Sequence, residues 1–292
     1  MTIAPLVLDF DGSVRGLPGA MHIPLHDWQE RIRFASRWSH LRELSAHLAS
    51  RADWTRRCVF TGSGDYHHLT LLLLQLLPNQ RPLRLVVCDN HPDNMRYPFG
   101  VHCGSWVYWA SRLPNVERID VIGITSSDIS ARHALENHWG PLASGRVTYW
   151  SIGADARWLR WIGATGAGRD FPDAHGLMQA FVDTLEPHQP VYLSIDKDVL
   201  APEVVRTNWD QGRLEEAHLH RLIQACDGRL VGADVTGEVS AYRYQSIVKR
   251  WLSAADGQSL PSPDELSVWQ EQHAQVNRRL RDSIGRSLEC TP

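Results

Sequence analysis

Short apolar runs alternate with longer segments of helical period along this chain. The runs Leu6–Phe10, Cys58–Thr61, Leu83–Cys88, Arg118–Ile124, Val147–Ile152, Val191–Ile195 and Leu230–Val235 are mostly continuous in apolar character rather than alternating. Continuous runs of this length suit strands covered on both faces of a parallel sheet. Helical spacing predicts helices over Trp28–Ala49, Leu69–Leu77, Ala174–Leu185, Leu214–Cys226 and Pro263–Ile284, and the glycine-rich stretch Gly163–Pro172 reads as a loop. Strand–helix alternation of this kind predicts an α/β architecture with right-handed crossovers. With 292 residues, no internal repeat and no low-complexity linker, the simplest organisation is one domain over 1–292.

Composition narrows the function classes. Hydrophobic residues make up 43% and charged residues 22%, an ordinary globular balance. The net charge of −3 provides no basic field for a nucleic-acid backbone or an anionic membrane. No apolar run reaches the ~18 residues that a membrane-spanning helix needs. Residues 1–25 carry Asp9 and Asp11 and lack a basic stretch ahead of a long apolar one, which predicts no secretory signal. The five cysteines, 58, 88, 103, 226 and 290, are odd in number and form no CxxC pair, so a reducing cytoplasm is expected rather than a disulfide framework or a thiolate zinc site. Cys58 and Cys88 read as small core residues. Cys103 follows His102, a conceivable nucleophile pair that no other feature supports.

In parallel α/β sheets ligands bind beyond the carboxyl ends of the strands, so the residues after each run carry the information. Leu83–Cys88 runs into Asp89-Asn90-His91-Pro92-Asp93, with three ligand-type side chains at alternate positions of an extended chain. Val191–Ile195 runs into Asp196-Lys197-Asp198, two carboxylates on one face that repel unless a cation sits between them. Cys58–Thr61 runs into Gly62-Ser63-Gly64-Asp65-Tyr66-His67-His68, which would bring His67 to the same edge. Four aspartates and two histidines make a mixed oxygen and nitrogen set that favours Mn²⁺ or a similar hard divalent ion. Four carboxylates balance two divalent ions better than one. Such a pair, about 3.5–4 Å apart, can bridge a water and make it hydroxide near neutral pH.

These segments resemble the ureohydrolase family of arginases and agmatinases. Val191-Tyr-Leu-Ser-Ile-Asp-Lys-Asp-Val-Leu-Ala-Pro202 is similar to that family's S-x-D-x-D-x-x-D-P segment, Asp89-Asn-His-Pro-Asp93 to D-A-H-x-D, and Gly64-Asp-Tyr-His-His-Leu-Thr70 to G-G-D-H-S-x-T. The three follow in family order across roughly residues 58–240. The resemblance implies a three-layer α/β/α sandwich around a mostly parallel, eight-stranded sheet. It implies one manganese held by His67, Asp89, Asp93 and Asp196 and a second held by Asp89, His91, Asp196 and Asp198. His102-Cys-Gly-Ser105 resembles a segment whose histidine moves protons, and Ala233-Asp-Val-Thr-Gly-Glu238, with Gly237 inserted, one whose glutamate binds a guanidinium. His102 and Asp198 would then be catalytic and Glu238 would hold the substrate, a small molecule with a guanidino or amidino group. A homo-oligomer is compatible with the resemblance.

The departures lie around the metal motifs. Tyr66 replaces an aspartate, His68 a serine, and Ala201 the aspartate before Pro202. After Asp93, Asn94-Met-Arg-Tyr-Pro lacks the polar pattern by which arginases hold an amino acid. The expectation is therefore a divergent hydrolase of linear C–N bonds whose substrate is not arginine by default. Three other readings compete. Asp89, His91 and Asp196 suffice for a mononuclear zinc site of the deacetylase type, and a scaffold could keep metals without catalysis. Leu6-Val-Leu-Asp-Phe-Asp-Gly-Ser13 resembles haloacid-dehalogenase-type phosphatases, with Asp9 as nucleophile, Asp11 as acid/base and Ser194, Lys197 and Asp234 as partners. Among the 12 tryptophans, Trp106, Trp109, Trp158 and Trp161 are expected to pack the core or an interface, or to line a cleft where a planar cation stacks on indole.

Overall fold

The computed structural model describes residues 4–78, 81–255 and 261–291. Its strands are β1 (Leu6–Asp9), β2 (Met21–Pro24), β3 (Ala35–Ser36), β4 (Cys58–Ser63), β5 (Leu83–Cys88), β6 (Val101–His102), β7 (Val116–Ile124), β8 (Val147–Ile152), β9 (Gly168–Phe171), β10 (Val191–Asp196) and β11 (Leu230–Glu238). The helices are α1 (Gln29–Ile32), α2 (Trp38–Ala49), α3 (Leu69–Leu76), α4 (Trp106–Ala110), α5 (Trp139–Ala143), α6 (Ala174–Val182), α7 (Glu216–Ala225), α8 (Ile247–Ala255) and α9 (Pro263–Glu289). Nine strands form one sheet in the order β2-β1-β4-β11-β10-β5-β7-β8-β9, and every pairing in it is parallel.

The continuous apolar runs feed two cores. Along β5, Leu83, Leu85 and Val87 point to one face while Val86 and Cys88 point to the other. The first face packs against α2, α3 and α4 through residues such as Leu44, Leu72 and Val107. The second packs against α6, α7 and α9 through Phe181, Leu222 and Leu280. A strand with helices on both faces has no solvent side, so it loses the polar alternation of a half-exposed strand. The result is a three-layer α/β/α sandwich.

Several sequence expectations need correction. The sheet has nine strands, all parallel, where a mostly parallel sheet of eight was expected. The unexpected strands are at the edges. In β2 only Ile23 is buried, and β9, inside the predicted Gly163–Pro172 loop, has no buried residue. Neither edge strand needs an apolar run. The predicted helix Trp28–Ala49 is broken at Arg33–Arg37: Phe34 takes a left-handed φ of 69°, and Ala35–Ser36 pairs antiparallel with β6. The break carries the Arg33 side chain inward to Asp65 and Asp11. Among the described residues, no helix is long and apolar enough to cross a membrane.

Candidate metal centre

β4, β10 and β5 end on the same side of the sheet, with β11 between the first two. β4 continues through a turn to His67, β10 ends at Asp196, and β5 is followed by Asp89. Asp93 holds a left-handed φ of 47°, a strained conformation outside glycine. His67 Nδ1 lies 3.0 Å from Asp89 Oδ2, 3.0 Å from Asp93 Oδ2 and 3.6 Å from Asp196 Oδ2. His91 Nδ1 lies 3.0 Å from Asp198 Oδ2 and 3.4 Å from Asp89 Oδ1. The donor atoms of His67, Asp89 and Asp93 converge within 4.8 Å of one another, as do those of Asp89, His91 and Asp198. Asp89 belongs to both groups, with one oxygen facing each.

Surrounding hydrogen bonds orient these donors. His67 Nε2 is 3.0 Å from Ser194 Oγ, which donates to Asp234 Oδ1 at 2.8 Å. His91 Nε2 is 2.7 Å from Asp210 Oδ1. Each histidine thus spends its far nitrogen on a neighbour and turns Nδ1 to the carboxylates, the arrangement that fixes a metal-binding tautomer. Trp106 Nε1 donates to Asp93 Oδ2 at 2.6 Å, Asn90 N–H to Asp198 Oδ1 at 3.1 Å, and Asp198 N–H to Asp196 Oδ1 at 3.1 Å. Gly237, at φ +86°, lets β11 pass against Asp196, because a Cβ there would collide with Asp196 Oδ1.

The electrostatics fit a cation site. Burial, reinforced by the neighbouring Asp89 charge, pushes Asp93 and Asp198 up to about 7 each. Burial and Asp198 hold Asp196 well above the carboxylate range. Burial opposes the ionised form of Asp89 too, but hydrogen bonds from His67 and His91 keep it below the ordinary value. Among the described residues no lysine or arginine pairs with these four carboxylates; their ion-pair partners are imidazoles. Hard oxygen and imidazole donors in this number suit Mn²⁺ and related divalent ions.

The centre forms the floor of a cavity of about 470 Å³. His102 and Cys103 line its wall. Burial lowers His102 to about 4, and Gly104 N–H donates to its Nδ1 at 2.9 Å, so the neutral ring carries its proton on Nε2. Cys103 Sγ is 3.8 Å from the His102 ring nitrogens. Glu238 is absent from the lining. Its Oε1 accepts from Lys197 Nζ at 2.5 Å and Asn277 Nδ2 at 2.7 Å, while His273 Nδ1 lies 3.3 Å from Oε2. Tyr66 stacks on Phe10 in the core, and His68 is fully buried beside the centre. Trp106 and Trp158 are buried, and Trp161 is 69% exposed.

The sequence offered no signal for one wall of the cavity, Ser126, Ser127, Asp128, His133, Glu136 and Asn137, nor for Trp209 and Asp210. The last two form a Trp-Asp pair in the polar segment after Asp198. Asn90 Nδ2 holds this segment through Asp210 Oδ2 at 3.0 Å. The phosphatase alternative loses its geometry. β1 lies three strand positions from β10, about 14 Å at ordinary strand spacing, so Asp9 stands apart from Ser194 and Lys197. Asp11 is paired with Arg33 at 2.9 Å, and Ser194 and Asp234 are bonded to each other.

No protein-family model matches the chain. An uncharacterized protein of Thermotoga maritima is 27% identical over 236 residues, covering 80% of this chain and 78% of its own. Among solved structures, the arginase of Helicobacter pylori aligns with 97% of this chain and 99% of its own at a TM-score of 0.53 and 10% identity. Proclavaminate amidino hydrolase from Streptomyces clavuligerus aligns with 85% of this chain and 70% of its own at a TM-score of 0.51 and 17% identity. The chain has the fold of the ureohydrolases, the arginase-like α/β sandwich.

Proposed function

We propose that this chain is a metal-dependent hydrolase of linear C–N bonds of the ureohydrolase type, active as a single domain. The observation that carries the reading is the pair of ligand groups sharing Asp89, buried and without a lysine or arginine counter-charge among the described residues. His67, Asp89, Asp93 and Asp196 would hold one divalent ion, most simply Mn²⁺, and Asp89, His91, Asp196 and Asp198 a second. Such ions supply a Lewis acid and a water that ionises near neutral pH.

The protein's own groups do the rest. Asp198, which lines the cavity and whose Oδ1 accepts the Asn90 N–H while Oδ2 faces His91 Nδ1, would orient the attacking water. His102, neutral with its proton on Nε2, would donate a hydrogen bond to the leaving nitrogen from the cavity wall, while the proton that nitrogen takes up comes from the attacking water. Trp209 lines the same cavity and would limit the access of water to the donors. Glu238, bound to Lys197, would act by fixing the Asp196-Lys197-Asp198 turn rather than by touching substrate. The substrate is a small molecule with a planar guanidino, amidino or formimino carbon, and the setting is a reducing cytoplasm. The Mn²⁺-loaded protein should release urea or ammonia from at least one member of a panel of guanidino, amidino and formimino compounds. Turnover of acetyl-lysine alone would select the mononuclear deacetylase chemistry, and inactivity with metals bound would select the scaffold.

A further inference from the structure

Away from the metal centre, a second cavity of about 500 Å³ opens between the end of α4, the start of α5 and the residues before β8. Arg96, Arg112 and Arg146 line it, and no aspartate or glutamate does. None of the three arginines has an ion pair among the described residues, in a chain whose net charge is −3. Their donors are largely unspent. Arg96 Nε donates to Asn137 O at 3.2 Å, and Arg112 Nη1 lies 3.5 Å from Tyr108 Oη. Arg146 Nη2 donates to Val116 O, while its Nε is buried with no hydrogen-bond partner. A guanidinium offers five donors in a planar fork that matches carboxylate and phosphate oxygens two at a time.

Aromatic rings stiffen this wall. His138 stacks on Tyr108 with centroids 3.6 Å apart, the Arg112 guanidinium lies 5.7 Å from the Tyr108 ring, and Arg96 lies 5.9 Å from the Trp139 ring. Burial and the Arg96 charge lower His138 to about 4, so the imidazole stays neutral there. The hydroxyls of Ser111 and Ser144 already donate to backbone carbonyls, and their remaining lone pairs bring no negative charge. Three like charges on one concave surface repel one another, and among the described residues no carboxylate lines the cavity or pairs with them. Met95 and Asn137, joined by an isolated antiparallel bridge, line the metal-candidate cavity, and their neighbours Arg96 and His138 line this one.

We propose that this cavity is a binding site for a compact polyanion, whose phosphate or carboxylate oxygens are gripped by Arg96, Arg112 and Arg146. The test is calorimetric titration of the full chain with inorganic phosphate and, separately, with tricarballylate, a tricarboxylate without citrate's chelating hydroxyl. At least one should bind at a single saturable site, and whichever binds more tightly identifies the source of the charge. Arg112→Gln, at an exposed position, should weaken that binding about tenfold, and adding Arg146→Gln should weaken it further. Asp89→Asn, in the other cavity, should leave it unchanged. No saturable binding of either anion in the millimolar range would overturn the proposal. So would binding that survives the double arginine substitution, or binding lost in Asp89→Asn, because the anion would then sit at the metal centre.

Discussion

Arg33 reaches from the break between α1 and α2 to Asp65 at 2.6 Å and Asp11 at 2.9 Å, all three buried or nearly so. The neighbouring carboxylates Asp89, Asp93, Asp196 and Asp198 are as deeply buried and meet imidazoles instead of a guanidinium. Both groups lie near the carboxyl edge of the sheet. In the first, the fold supplies the counter-cation as part of the chain, and the Asp65 charge holds Arg33 well above its ordinary value against the burial that opposes it. In the second, burial and mutual repulsion drive three of four carboxyls upward. Buried acid clusters are thus not equivalent: one meets a guanidinium that is always charged, and the other meets only imidazoles, raised well above their ordinary value by the carboxylates beside them.

Substitutions in the two regions separate them. Asp89→Asn removes the carboxylate shared by both ligand groups and should lower turnover on the order of a thousandfold in steady-state assays of the Mn²⁺-loaded protein. Near-normal turnover would show that the shared oxygen pair is not needed. Arg33→Met strands two buried carboxylates and should cost about 3–5 kcal/mol in urea denaturation. A loss under about 1 kcal/mol would mean that water already screens the cluster. Asp210→Asn weakens the grip on His91 and should reduce Mn²⁺ affinity about 10–100-fold without altering the melting of chelated protein; unchanged affinity would remove Asp210 from the site.

The smallest effect is on pH dependence. Asp93 and Asp198 titrate near 7 in the folded chain against an ordinary value of 3.8, so the fold holds protons that the unfolded chain has released. Their contribution is fully present below about 3.8 and is lost as pH rises through about 7. Chelated protein should therefore lose stability across that range in denaturation curves, and saturating Mn²⁺ should flatten the loss. Arg33 stays charged throughout and adds no slope. An equal slope with and without Mn²⁺ would uncouple these carboxyls from the ion.

The centre of the sheet was legible in the sequence because strands covered on both faces must be apolar throughout: β5 and β8 match the predicted runs residue for residue. The edge strands β2 and β9 were not, since a strand with one neighbour and few buried residues leaves no such run. His67, Asp89, His91, Asp93 and Asp198 could be read as a group because each follows a strand that ends on the same edge. What could not be read is side-chain direction and long-range partnership. Glu238 lies one residue past Gly237 on β11 and turns to Lys197, a contact that needs α9 to bring in Asn277 and His273. Arg33 sits in a segment of helical period, and only the left-handed turn at Phe34 takes it inward.

In the proposed function Asp89, Asp93, Asp196 and Asp198 take their counter-charge from divalent ions. The direct measurement is metal content per chain, by elemental analysis after Mn²⁺ loading and desalting. About two ions per chain are expected in the unmodified protein, held through desalting and lost from Asp89→Asn. A chain that retains no Mn²⁺, or an Asp89→Asn variant that retains as much as the unmodified protein, would contradict it.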